Sequence, residues 1–256
     1  SGFGKGHSVG IVEAEFLGAF KKRFVEDTFP VIAEKHIWDI ANDRAARNGT
    51  DAQEEFDKAS KDFKRGGAFP FTFDSGTAPA VKQLRSKLLM ANCGAINLQI
   101  DEIGSNLVGV TDILTVFLEL YDQGKTNNKL TKNTADNPRD EEVDGKTPTN
   151  MLLFGTPAKL LDGGPTEDQF YSFLEIGYAR RCIFGIGHQD RRAFNSLTPA
   201  QIYENLTKKD NNITINKWAS HFYDLADPAM YGWKILVEDD VAIQLLTYRI
   251  ECDKIA

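Results

Sequence analysis

The sequence predicts an α/β fold, a mostly parallel sheet flanked by helices, with a helical element at the C-terminal end. Three observations carry that expectation. Residues 95–100 and 150–154 are short apolar runs of strand length. The stretches between and around them keep a helical period, and glycine-rich turns stand where the runs end. Short strands alternating with helices in this way make a parallel sheet. In such sheets ligands sit beyond the carboxyl ends of the strands.

Taken in order, residues 8–65 read as helical. Val9, Val12, Phe16, Phe20 and Phe24 recur at helix spacing, and Pro30 begins a new turn. Ile32, His36, Ile37 and Ile40 form a second apolar stripe, which Asn48-Gly49 ends. Thr50 or Asp51 caps a third, charged helix running to about Lys64, with a solvated face from Glu54 to Arg65. Arg65-Gly66-Gly67 breaks the pattern. Residues 69–73 (FPFTF) read as a strand, at an edge because of Pro70. Thr77 caps a helix through about Met90, with Pro79 in its first turn. A strand at 95–100 and a helix at 112–121 follow. Residues 122–148 read as a long loop or hairpin. A buried strand is expected at 150–154, a helix near 168–176 and a strand at 181–186. Residues 190–256 are mainly helical, starting clearly at Thr198-Pro199. There is no internal repeat. The expected division is a core at 1–187 and a helical C-terminal lid or packing element at 188–256.

At 256 residues the chain can bury one large core, or a core with a small appendage. Hydrophobic residues are 41% and charged residues 26% of it, ordinary values for a soluble globular protein. No stretch has the length of a membrane span, and the polar, glycine-rich N-terminus is unlike a signal peptide. Cys93, Cys182 and Cys252 are distant from one another, which fits a reducing compartment and argues against a disulfide framework or a Cys-rich zinc site. The expected location is the cytoplasm. A net charge of −7 weighs against a protein that coats duplex DNA with its whole surface. A ring that concentrates positive charge in a channel remains compatible with it.

Five motifs carry chemistry. The first is Ser1-Gly2-Phe3-Gly4-Lys5-Gly6-His7-Ser8, a lysine among three glycines directly before a helix. Such a loop turns backbone N–H groups toward polyphosphate oxygens, and the helix dipole favours the same anion. Gly2, Gly4, Lys5, Gly6, His7 and Ser8 are the nucleotide-binding candidates. The usual pattern, G-x-x-x-x-G-K-[ST], is broken twice. Its first glycine would lie upstream of Ser1, and Gly6 stands where a hydroxyl should follow the lysine. Ser8 is the candidate substitute. A phosphate loop also normally follows a buried strand, so the chain is expected to be part of a longer protein. The plainer reading is a glycine-rich helix start with no ligand.

The second motif is the run 95–102, a strand that delivers Asp101 and Glu102 at its carboxyl end. Nucleotide hydrolysis uses this pairing. One carboxylate, Asp101, holds Mg²⁺ together with Ser8, and the other, Glu102, orients the attacking water. The plainer reading is an acidic turn. The third is the strand 151–154 with Gly155-Thr156-Pro157, where Thr156 is either a γ-phosphate sensor or a helix cap. The fourth is Arg180-Arg181, a candidate finger reaching the γ-phosphate of a neighbouring subunit, or else a surface pair bound to carboxylates. The fifth is the 122–148 insert, with Lys125, Lys129 and Lys132 placed to grip a nucleic-acid strand and acidic residues from Asp136 to Asp144. His7, His36, His188 and His221 lack the spacing of a metal site. There is no G-x-S-x-G elbow and no dinucleotide fingerprint.

In this order the segments SGFGKGHS, FTFDSGTAPAVKQL, INLQIDEIG, FLELYDQGK, MLLFGTPAKLL and FYSFLEIGYARRCIFG resemble the P-loop ATPase domain of phage and plasmid primase–helicase proteins. The resemblance covers about the first three-quarters of the chain. It implies a RecA- or AAA+-like P-loop NTPase core that uses ATP and Mg²⁺ and assembles as a ring, expected to be a hexamer, on single-stranded or forked DNA. The implied activity is an ATP-dependent replicative helicase or translocase in the host cytoplasm, with no membrane partner. Lys5 would lie on the phosphates, Asp101 and Glu102 at the metal and the water, and an arginine from 180–181 would act in trans. A P-loop ATPase serving as a packaging protein, loader or defence switch is the alternative, as is a nucleotide-binding scaffold that lost turnover through Gly6.

Overall fold

The computed structural model describes residues 9–126, 143–185, 198–207, 213–234 and 236–255. Phenylalanines organise its N-terminal part. Helix α1 (Gly18–Arg23) runs between two wider π turns, Val12–Leu17 and Phe24–Thr28. In the second turn the Phe29 amide bonds the Phe24 carbonyl five residues back. Phe24 and Phe29 thereby both reach Phe69, with ring centroids 6.1 and 4.6 Å away. Phe20 meets Phe71 edge-on at 5.7 Å. The Phe-rich run 69–73 is therefore clamped by aromatic contacts.

Helix α2 (Phe29–Asn48) stops at Gly49, whose φ of 69° closes the turn without a Cβ penalty. Helix α3 (Ala52–Arg65) starts where the Asp51 carboxylate accepts the Gln53 and Glu54 amides. The two helices pack as a hairpin, with Trp38 stacked on Phe56 at 4.0 Å. The face expected to be solvated has one exception. Glu55 is buried and accepts a hydrogen bond from Thr50 and an ion pair from Lys58. Helix α4 (Ala78–Ala91) is capped by the Thr77 hydroxyl, which accepts the Ala80 amide.

Strand β1 (Ile96–Ile100) inserts next, its Ile96, Leu98 and Ile100 side chains fully buried. It leads through a sharp acidic turn into helix α5 (Ile103–Gln123), which begins well before the expected 112. Strand β2 (Thr149–Leu153) returns parallel to β1, in register from Ile96 opposite Thr149 to Ile100 opposite Leu153. On the other side of β1 the expected strand at 69–73 shrinks to one parallel bridge. The Phe73 amide donates to the Asn97 carbonyl, and the Gln99 amide donates to that of Phe73. Pro70 has no N–H for a longer ladder.

Two further expectations need correction. The strand β2 is not buried. Its residues alternate between half-buried and exposed, and Leu152 is 47% exposed. Among the described residues only β1 pairs with it, so its outer edge has no neighbouring strand to cover it. The second correction concerns 181–186. Residues 182–185 have irregular backbone, and Ile183 and Phe184 are exposed. No strand among the described residues pairs with this segment, and an isolated strand cannot satisfy its own backbone. Residue 186 lies outside the described residues.

Helix α6 (Pro157–Leu160) and helix α7 (Pro165–Glu175) pack on α5. A 3₁₀ turn, Tyr178–Arg180, follows, and its Tyr178 hydroxyl donates to the Leu114 carbonyl at 2.6 Å. Helix α8 (Pro199–Thr207) starts at Thr198, as expected. Helix α9 (Ile213–Leu225) lies against α1 and the Val12–Leu17 turn. Arg23 ties this packing by bonding the Tyr223 carbonyl and the Asp227 carboxylate, and the Thr28 hydroxyl reaches the Ala226 carbonyl. The last helix, α10 (Asp239–Ile255), exposes Val241, Ile243, Leu245, Leu246, Tyr248 and Ile250. No described helix is long and apolar enough to cross a membrane.

Candidate functional site

The carboxyl ends of β1 and β2 are joined by a short series of backbone bonds. The Phe154 amide donates to the Ile100 carbonyl at 2.8 Å, and the Ile103 amide donates to the Phe154 carbonyl at 2.8 Å. Each strand therefore hands the other's exit loop a partner just where its own ladder stops. Gly155 fits between them. A Cβ there would come within 2.5 Å of Leu160 Cδ1 and 3.1 Å of Ile103 Cγ2. Its lack of a side chain lets the β2 exit lie this close to the start of α5 and to α6.

This stitching brings two sequence candidates together. Glu102 occupies the N-cap position of α5, but its side chain does not cap that helix. It crosses to Thr156 at the start of α6. The Thr156 hydroxyl donates to Glu102 Oε2 at 2.7 Å, and the Thr156 amide donates to Oε1 at 3.2 Å. Thr156 correspondingly makes no side-chain cap to its own helix. The capping alternative is thus replaced by a contact across the sheet. The N-terminus of a long helix beside Glu102 favours negative charge there.

Asp101 precedes Glu102 in the turn and is exposed. Mg²⁺ commonly takes one or two carboxylates together with waters and substrate phosphates, and an exposed carboxylate at a strand end suits that use. Among the described residues no group of three His, Cys, Asp or Glu side chains could enclose a metal. Gly2, Gly4, Lys5, Gly6, His7 and Ser8 lie outside the described residues, as do Lys129 and Lys132.

The two arginines separate. Arg181 is held within its own chain. Its Nε donates to Asp122 Oδ1 at 2.9 Å, Nη2 to Asp122 Oδ2 at 2.5 Å and Nη1 to the Gly177 carbonyl at 2.9 Å. The Arg181 hydrogen bond holds the Asp122 carboxyl below its usual range, and the same bond raises the arginine. The carboxylate-bound reading of this residue is the observed one. Arg180 is exposed in the adjoining 3₁₀ turn.

At the root of the insert, Lys125 Nζ lies 2.7 Å from Asp144 Oδ1, with both side chains largely exposed. The Thr147 amide donates to the Gly124 carbonyl at 3.0 Å. The described ends of the insert are thus pinned side by side. The Lys125 hydrogen bond lowers the Asp144 carboxyl. Sequence reasoning missed Asp122, and it read Gly155 only as the turn that ends the 151–154 strand. Asp122 carries no local signal, because it acts on Arg181 from a distant segment, and the close packing that Gly155 permits against Ile103 also depends on a distant segment.

Comparison with protein-family models, with curated proteins and with solved structures returns no match.

Proposed function

We propose that this chain is a P-loop-type ATPase, an ATP-driven helicase or translocase acting as an oligomeric ring on DNA. The observation that carries the reading is the junction of two parallel strands at Glu102 and Thr156. It gathers an exposed carboxylate, Asp101, a second carboxylate with both oxygens in hydrogen bonds and a hydroxyl at the carboxyl end of the sheet, which is the edge where open α/β sheets bind ligands. Lys5 and the surrounding glycines supply the phosphate contacts in this proposal. Asp101 with Ser8 would hold Mg²⁺, which when bound neutralises charge on the transferring phosphoryl group. Glu102 orients the attacking water and accepts its proton. The core then belongs to the RecA- or AAA+-like class, and the apolar side chains along α10 are the surface that neighbouring subunits would cover.

One observation favours the second reading, a nucleotide-dependent switch, loader or packaging protein, or a scaffold without turnover. Arg181 is clamped by its own Asp122, which leaves Arg180 as the arginine to reach a neighbouring subunit. A switch or scaffold needs no such finger. DNA-stimulated ATP hydrolysis by the full chain tests the two readings, with Lys5→Ala and Glu102→Gln as controls. The motor reading expects hydrolysis that DNA accelerates and that both substitutions slow strongly, with a residual rate that single-turnover measurement can still resolve. Nucleotide binding without hydrolysis in the wild type would favour the scaffold.

A further inference from the structure

We infer that Thr156 is a positioning residue that acts through Glu102, in place of a sensor that touches the γ-phosphate. The inference rests on the ATPase reading above. A threonine hydroxyl carries one proton, and here that proton is given to Glu102 Oε2 at 2.7 Å. The same hydroxyl cannot donate to a phosphate oxygen at the same time. The Thr156 amide fixes the other oxygen, Oε1, at 3.2 Å. Two donors from one residue set both the position and the plane of the carboxylate.

The surroundings keep the pair in register. The bonds from Phe154 to Ile100 and from Ile103 to Phe154 fix the two exit loops. Gly155 permits their close approach, and Gly104 sits against Lys159 on the far side, where a Cβ would lie 3.2 Å from Lys159 Cβ and 3.3 Å from Glu102 Oε1. Hydrogen bonds to a charged group contribute about 10- to 100-fold in an equilibrium or a rate. A carboxylate that must orient water gains that factor only if its own position is set beforehand.

The test uses the full chain with Thr156→Val, which keeps the shape and the amide but removes the hydroxyl, and Thr156→Ser, which restores it. Single-turnover hydrolysis and the ratio of ATP to ADP affinity are measured for each, and for Glu102→Gln alone and combined with Thr156→Val. Thr156→Val is expected to slow hydrolysis about 10- to 100-fold with the affinity ratio unchanged, and Thr156→Ser to recover most of the rate. The combined variant is expected to be no slower than Glu102→Gln, because residues acting as one unit are not additive. A changed ATP to ADP ratio in Thr156→Val would mean a phosphate contact and overturn the inference, as would additive losses. Should the wild type hydrolyse nothing, the ATPase reading fails on its own. The pairing is then judged by thermal unfolding of Thr156→Val, Glu102→Ala and their double variant, where additive shifts overturn it and a shared shift upholds it.

Discussion

Arg181 forks onto Asp122 across 59 positions of sequence, joining the turn after α7 to the last turn of α5. The guanidinium is bidentate on the carboxylate and adds a bond to the Gly177 carbonyl. Planar, two-point pairing of this kind is where arginine and lysine stop being interchangeable. The pair ties the chain that follows β2 and α7 back onto α5, the helix that follows β1.

Asp122→Asn is therefore expected to lower the midpoint of thermal unfolding near neutral pH. The sign follows from the depressed carboxyl. A group whose pKa is lower in the folded state stabilises fully above its unfolded value, about 4, and loses that contribution as pH falls through the folded value. Wild type and variant should converge in strongly acidic buffer. Unfolding midpoints measured from pH 7 downward check this, and a gap that persists in acid would contradict it.

The two arginines should also differ in kind. On the proposed ring-ATPase reading, Arg180→Ala is expected to reduce ATP turnover by about 10³-fold or more, the usual contribution of a trans-acting arginine, with little change in unfolding. Arg181→Ala is expected to lower stability first. Mixing Arg180→Ala with Lys5→Ala protein should restore partial turnover if the arginine serves a neighbour's site. Turnover of the mixture at equal ratios is the measurement.

Neutralising Lys125, Lys129 and Lys132 together is expected to reduce the dependence of single-strand affinity on salt by about 2 in the log–log slope. Lys125→Ala alone should change it least, since that lysine already pairs with Asp144. Titrations of labelled oligonucleotide at several salt concentrations give the slope directly.

The cysteines should label in a fixed order. Burial pushes the Cys93 thiol up to about 11 and also raises Cys182, while Cys252 is exposed. The thiolate is the reacting form. Alkylation near pH 8 followed by mass spectrometry should find Cys252 modified first and Cys93 last.

Truncating the central strand should be severe. Leu98 is buried in β1 and faces the core. Leu98→Ala is expected to cost about 2–5 kcal/mol, measured by denaturant unfolding with an unchanged slope.

What the sequence by itself determined is local. Asp51 and Thr77 lie beside the amides they cap, Gly49 ends the helix it follows, and β1 has three buried side chains at alternate positions before its acidic turn. Each of these follows from groups only a few bonds apart, or from the period of one element. Tertiary structure alone decided the partners. Thr156 could have capped its own helix, and it turned instead to a carboxylate 54 positions away. Arg181 could have stood in solvent, and Asp122 took it. The runs at 150–154 and 181–185 are both largely apolar, yet among the described residues only the first holds a strand, because β1 lay beside it and supplied the hydrogen bonds. A strand or an ion pair needs a second segment to complete it, and no single stretch of sequence states where that segment will be.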